Sequence, residues 1–173
     1  MSLITKNAIR AVLDRMKDLK VVVVGDPVLD VYIYGTTVRI SREAPIPIVR
    51  QDATENRLGG AANAAANLAT LGAKTSLIGF LGDDSSADTL VDTAQALDID
   101  CSGLMRLENR HTVTKTRILA GGLHTTKQQL LRLDQENTQA PNGNSVQRLL
   151  AIALEQIETA DAVIISDYGA FTD

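Results

Sequence analysis

Four carboxylates stand just after apolar, strand-like runs. Asp26 and Asp30 follow Val21-Val22-Val23-Val24-Gly25, and Asp167 follows Ala162-Val163-Ile164-Ile165-Ser166. Gly82-Asp83 stands likewise after Thr75-Ser76-Leu77-Ile78-Gly79-Phe80-Leu81. The pair Gly59-Gly60 opens a stretch of small residues, Ala61-Ala62-Asn63-Ala64-Ala65-Ala66-Asn67, that reads as a helix. Glycine lets the backbone take positive φ and approach a ligand closely. A helix start presents unpaired N–H groups and a positive dipole end to whatever lies there. Asn63 and Asn67 fall one turn apart and share a helix face. The same composition suits a thin core helix after a glycine turn, and the stretch alone leaves both readings open.

Composition narrows the classes. The chain has 173 residues, 45% hydrophobic and 22% charged, enough for one soluble domain with its own core. A net charge of -4 and two Phe, three Tyr and no Trp argue against a nucleic-acid surface. Cys101 is the only cysteine, which excludes an internal disulfide and a cysteine-cluster metal site. Lys6, Arg10, Asp14, Arg15, Lys17 and Asp18 interrupt the first twenty residues, so no signal-peptide core is read there. No run reaches the ~18–20 apolar residues of a membrane span. The expected setting is the reducing cytoplasm.

The elements that must position these residues alternate. Residues 3–19 carry apolar positions at helical spacing. Val21-Val22-Val23-Val24 suits a strand buried on both faces, and so does Ala162-Val163-Ile164-Ile165-Ser166. Pro45 and Pro47 confine 44–50 to an edge strand or extended segment. A helix over about 60–71, a strand over 75–81, and a helix capped near Asp83-Asp84-Ser85 follow. The helix runs through Leu90, Val91, Ala94 and Leu97, and a short strand lies near 101–105. Residues 112–119 and 127–133 read as a hairpin around Gly121-Gly122, and a helix covers about 144–158. Strand–helix alternation implies a parallel α/β sheet with two β-rich inserts, at 28–50 and 110–133. Such sheets bind ligands beyond the carboxyl ends of their strands, which gathers Asp26, Asp30, Gly59-Gly60, Gly82-Asp83 and Asp167 at one rim.

Gly59-Gly60-Ala61-Ala62-Asn63-Ala64-Ala65, with Gly72 and Gly82 at the matching spacing, resembles the first signature of the ribokinase-type (PfkB) carbohydrate kinase family. The segments Val24-Gly25-Asp26 with Leu29-Asp30-Val31-Tyr32, Arg39-Ile40-Ser41-Arg42-Glu43-Ala44-Pro45-Ile46-Pro47-Ile48-Val49, and Thr114-Lys115-Thr116-Arg117 with Gln128-Gln129-Leu130-Leu131-Arg132-Leu133-Asp134 resemble one subgroup. That subgroup is the heptose 7-phosphate kinases, the kinase half of a bifunctional enzyme of ADP-heptose synthesis for lipopolysaccharide. The resemblance spans about residues 20–169. It implies a mostly parallel, three-layer α/β sheet with a small β lid, at the two inserts, that often pairs between subunits. It also implies transfer of the ATP γ-phosphate to a sugar hydroxyl, the anomeric one of heptose 7-phosphate.

On that resemblance the sugar-binding candidates are Asp30, Gly59, Gly60, Asn63, Arg39, Lys115, Arg117, Gln129, Arg132 and Asp167. Asp30 suits vicinal hydroxyls by charge-assisted hydrogen bonds, and Asn63 offers donor and acceptor. Lys115, Arg117, Arg132 and Arg39 suit a sugar phosphate, although an Arg or Lys in a strand is more often a solvated face. Gly82-Asp83-Asp84 reads as a helix cap. His111 and His124 have no ligand cluster beside them, so no metal ligand is assigned. The Gly-Ala-Gly-Asp motif that carries this family's catalytic base and anion hole does not occur in the 173 residues, so no catalytic residue is assigned. The expectation is the sugar-binding N-terminal part of one domain, stopping before the ATP-binding half. ATP and Mg2+ belong to the complete kinase and bind this chain poorly. A homodimer through the lid is expected, with no nucleic-acid or membrane partner. The alternative is a non-catalytic remnant that binds sugar phosphate or dimerises. A dinucleotide site is weaker still, because no Gly-x-Gly-x-x-Gly follows Val21-Val22-Val23-Val24.

Overall fold

The computed structural model describes residues 5–122, 125–137 and 139–169; His124 lies outside them. The elements run α1 (Lys6–Met16), β1 (Lys20–Gly25), β2 (Pro27–Ile40), β3 (Pro47–Gly59), α2 (Gly60–Thr70), β4 (Lys74–Gly82), α3 (Ser85–Gln95), β5 (Asp100–Leu107), β6 (Thr114–Gly121), β7 (Gln128–Gln135), α4 (Gly143–Ile157) and β8 (Ala162–Ser166). They build two sheets. One is wholly parallel, in the order β5-β4-β1-β8, and the other is mixed, in the order β3-β2-β6-β7.

The β-branched run of β1 alternates between two cores. Val23 points with Leu77 and Leu81 toward α2 and α3, whereas Val22 points with Ile78 and Met105 toward Leu149 and Ala153 of α4. Sheet and helices therefore form three layers. Ala61, Ala62 and Ala65 are wholly buried, because methyl-sized side chains let α2 lie close against the sheet. β4 is entered from α2 on one face of the sheet and β8 from α4 on the other, and β1 lies between the two strands. The strand order thus reverses at the β1–β8 seam, and a crevice opens beyond the carboxyl ends there.

Two elements differ from the reading of the sequence. Among the described residues β8 pairs with β1 alone and is not buried on both faces, with Ile165 78% exposed. β3 continues through Gln51-Asp52-Ala53-Thr54-Glu55-Asn56-Arg57 to Gly59, well past residue 50, because it pairs with β2 along almost its whole length. The proline-bearing stretch is indeed at a sheet edge, since β3 ends its sheet. α1 begins at an N-cap formed by Thr5 and buries no residue, leaving Ile9 and Val12 exposed.

Asp84 couples the helical layer to the second sheet. Its Oδ1 accepts from the Ala87 N–H, capping α3, and its Oδ2 accepts from the Thr112 N–H just before β6. The Thr112 hydroxyl, fully buried, accepts in turn from Gly82 N–H at 3.0 Å. Burial pushes the Asp84 carboxyl up, but hydrogen bonds from Thr112 and Ala87, with His111 beside it, hold it below its ordinary value. A depressed carboxyl contributes stability that is complete above the unfolded-state value, near pH 4, and is lost as pH falls through the folded value. Asp84→Ala should lower the unfolding free energy by about 1–2 kcal/mol at pH 7. Urea unfolding over a pH series should show that deficit shrinking below about pH 4.

Candidate functional site

The β1–β8 seam is closed by Asp26, which is 6% exposed. Its N–H donates to the Ser166 carbonyl at 3.1 Å, and its own carbonyl accepts from the Ala61 N–H at 2.9 Å. Its carboxylate accepts from the Tyr168 N–H at 2.7 Å. The end of β1, the end of β8 and the start of α2 thus meet on one residue. The meeting requires glycine at position 60. Gly60 has φ +54°, and a Cβ there would sit 2.3 Å from the Asp26 carbonyl oxygen.

Beside this junction lies a cleft of about 300 Å³. Asp26, Gly60 and Tyr168 line it from the seam, and Asp30, Lys115 and Arg117 line it from the second sheet. Register explains the second group: Asp30 on β2 stands opposite Arg57 on β3 and Lys115 on β6, and Tyr32 stands opposite Glu55 and Arg117. The Arg117 guanidinium donates to Asp30 Oδ1 and lies 5.2 Å above the Tyr32 ring, which Arg57 covers at 4.8 Å. The Asp30 carboxylate keeps Arg117 above its ordinary pKa. Gly59 stands immediately behind Asp30, where a Cβ would be 2.6 Å from Oδ2. Lys115 reaches Glu136 at 4.0 Å.

Arg110 and Asn137 complete the lining from the connections flanking β6 and β7. The Asn137 side chain accepts from the His111 N–H at 2.9 Å and donates to the His111 carbonyl at 2.7 Å, which fixes the turn carrying Arg110. Arg110 donates to the Gln139 carbonyl. Burial lowers its pKa, against the opposing charge of Asp26. A larger hollow of about 720 Å³ lies at the opposite, amino-terminal end of the parallel strands, between Lys20, Lys74 and Gln156. It lies at the end of the parallel strands away from the α2 start and the second sheet, and the smaller cleft at their carboxyl ends is the candidate site.

The structure gathers Asp30, Gly60, Lys115 and Arg117 of the sequence candidates around the cleft, with Gly59 behind them. Asn63 is exposed one turn into α2, outside the lining. Arg39 is exposed near the far end of β2. Gln129 and Arg132 lie on the exposed β7, where Arg132 bonds Asp134 at 2.8 Å. Asp167 is exposed and accepts from the Gly169 N–H. Arg110, Asn137 and Tyr168 were absent from the sequence candidates. Arg110 had one usable signal, a cation in the turn Glu108-Asn109-Arg110-His111 immediately before a β-forming run.

This architecture, a parallel sheet whose strand-end cleft is flanked by a smaller mixed sheet, is that of the sugar kinases. A carbohydrate kinase from Agrobacterium tumefaciens matches with a TM-score of 0.60 at 21% identity, over 85% of this chain and 45% of its own. An Arabidopsis thaliana ribokinase complexed with ribose and ATP matches with a TM-score of 0.57 at 18% identity, over the same shares. The chain belongs to the pfkB family of carbohydrate kinases, whose model matches residues 18–168. The bifunctional protein HldE of Magnetococcus marinus is 42% identical over 152 residues, 86% of this chain and 30% of that protein. HldE of Shewanella amazonensis is 42% identical over 160 residues, 92% of this chain and 32% of that protein. The chain therefore spans about a third of the length of these relatives.

Proteins of this family bind ATP, which the fit of this cleft must be tested against. Among the described residues no group of three or more His, Cys, Asp or Glu side chains is arranged to hold a metal ion. At about 300 Å³, the cleft is at the small end of ligand pockets. If Gly60 sets the cleft, Gly60→Ala should destabilise the chain by about 2 kcal/mol or more, through left-handed backbone strain and the clash with Asp26. Thermal unfolding measures this, and Gly143→Ala, where nothing lies within 4 Å of an added Cβ, is the control.

Proposed function

We propose that this chain is the sugar-binding part of a sugar-phosphate kinase, and that the complete kinase transfers the ATP γ-phosphate to the anomeric hydroxyl of heptose 7-phosphate, toward ADP-heptose for lipopolysaccharide. The observation that carries this is the joining, in one strand-end cleft, of a carboxylate backed by a glycine with a set of cationic side chains. A carboxylate has about four lone-pair sites. Arg117 uses one of Asp30's, which leaves acceptors for vicinal sugar hydroxyls. The absence of a side chain at Gly59 keeps Asp30 within reach of the α2 start. The similarity to HldE proteins, at about 40% identity, supports heptose 7-phosphate as the particular sugar.

In this reading the residues of the chain bind and orient. Asp30 fixes the hydroxyl-bearing ring, the cations meet the phosphate, and the backbone at Gly60 lets the sugar approach closely. ATP and Mg2+, when bound in the complete kinase, supply the phosphoryl group and its charge neutralisation. Such a reaction belongs in the cytoplasm; among the described residues no helix is long and apolar enough to cross a membrane.

The second sheet also serves as the dimer contact in this reading. Leu131 stands opposite Ile118, which stands opposite Ile33, and Leu133 extends the same face. Leu131 and Leu133 are 49% and 54% exposed, so a second copy has apolar surface to cover. Two outcomes follow. Asp30→Asn keeps the shape of the side chain and should weaken heptose 7-phosphate binding by about 10- to 100-fold, read as a lost ligand-induced rise in melting temperature. Sedimentation of Leu133→Glu should give a monomer where the parent chain is a dimer.

A further inference from the structure

The charged side chains of the cleft are not equally occupied. Asp30 is bonded to Arg117, Lys115 faces Glu136, and the Asp26 carboxylate accepts from the Tyr168 N–H. Arg110 is the exception among them: its recorded partner is a neutral carbonyl, that of Gln139. A guanidinium carries five N–H donors in a planar fork that matches the oxygens of a phosphate. This one is partly buried and faces the charge of Asp26, but its hydrogen bond to the Gln139 carbonyl engages only part of the fork. Its backbone is also held, because Asn137 clamps both polar groups of His111 next to it. A held guanidinium that lines the cleft with donors to spare suits a dianionic group.

Resting on the reading of this cleft as a sugar site, we infer that Arg110 is the specificity residue that selects a phosphorylated sugar over the free sugar, by taking the phosphate on its guanidinium fork. Arg117 does not fill this role in the arrangement seen, since Asp30 already holds it. Lys115 is the competing candidate, because its contact with Glu136 is long, at 4.0 Å.

The test is isothermal titration of the full chain with heptose 7-phosphate and with the same heptose lacking the phosphate. Arg110→Ala should weaken the phosphorylated ligand by about 10- to 100-fold and leave the free sugar within about twofold. Arg110→Lys should recover only part of the loss, since it restores charge but not the fork. The dependence of phosphorylated-ligand affinity on salt should fall in Arg110→Ala. Equal loss for both ligands would make Arg110 structural and overturn the inference. Discrimination that survives Arg110→Ala and disappears in Lys115→Ala would assign the phosphate to Lys115 and overturn it too, leaving the sugar site standing. If the parent chain binds neither ligand, the sugar reading and this inference fall together.

Discussion

A parallel strand that ends in the interior must hand its last polar groups to something other than the next rung of the sheet. In this chain β1 hands them to Asp26. The amide of that one residue bonds across to the end of β8, its carbonyl receives the first N–H of α2, and its carboxylate takes the N–H of Tyr168. Three elements far apart in sequence are fastened at a buried carboxylate, and the glycine after β3 exists to let α2 come that close. The cleft is the space left beside this fastening. Its position therefore follows from where β1 stops, and the side chains around it are placed by strand register.

The second sheet meets a different demand. It extends away from the core, with β7 exposed along its length, so hydrophobic burial alone does not hold it. A ladder of charge and aromatic contacts runs along one face instead. Arg117 joins Asp30 to Tyr32, Arg57 covers the other contact of Tyr32 and bonds Glu55, and Glu55 receives the Tyr34 hydroxyl. Farther out, Thr36 and Lys127 both donate to Asp52. Each exposed pair contributes little on its own, but several sharing partners restrict one another's rotamers. The innermost member of the ladder is the same carboxylate that the cleft presents, so the order of the sheet and the geometry of the site are linked through Asp30.

Much of this was legible in the residues because the signals were local. The valine run, the glycine pair before a row of alanines, the Asp84 cap and the hairpin around Gly121 each write their structure within a few positions. What was not legible depended on distant partners. Residues 51–57 are polar and barely alternate in hydrophobicity, and pairing with β2 is what makes them strand. Arg117 looked like a free cation until strand register set it against Asp30, 87 positions away. Arg110 sat in a turn with no periodicity to mark it. The run at 162–166 had the composition of an inner strand but, among the described residues, pairs on one side only.

That last strand has a practical consequence. Along its outer side β8 offers a ladder of amide and carbonyl groups at a spacing any extended peptide can match, and it does so with Val163, Ile164 and Ile165 uncovered. Such a border is adhesive without being selective: it recognises backbone rather than sequence.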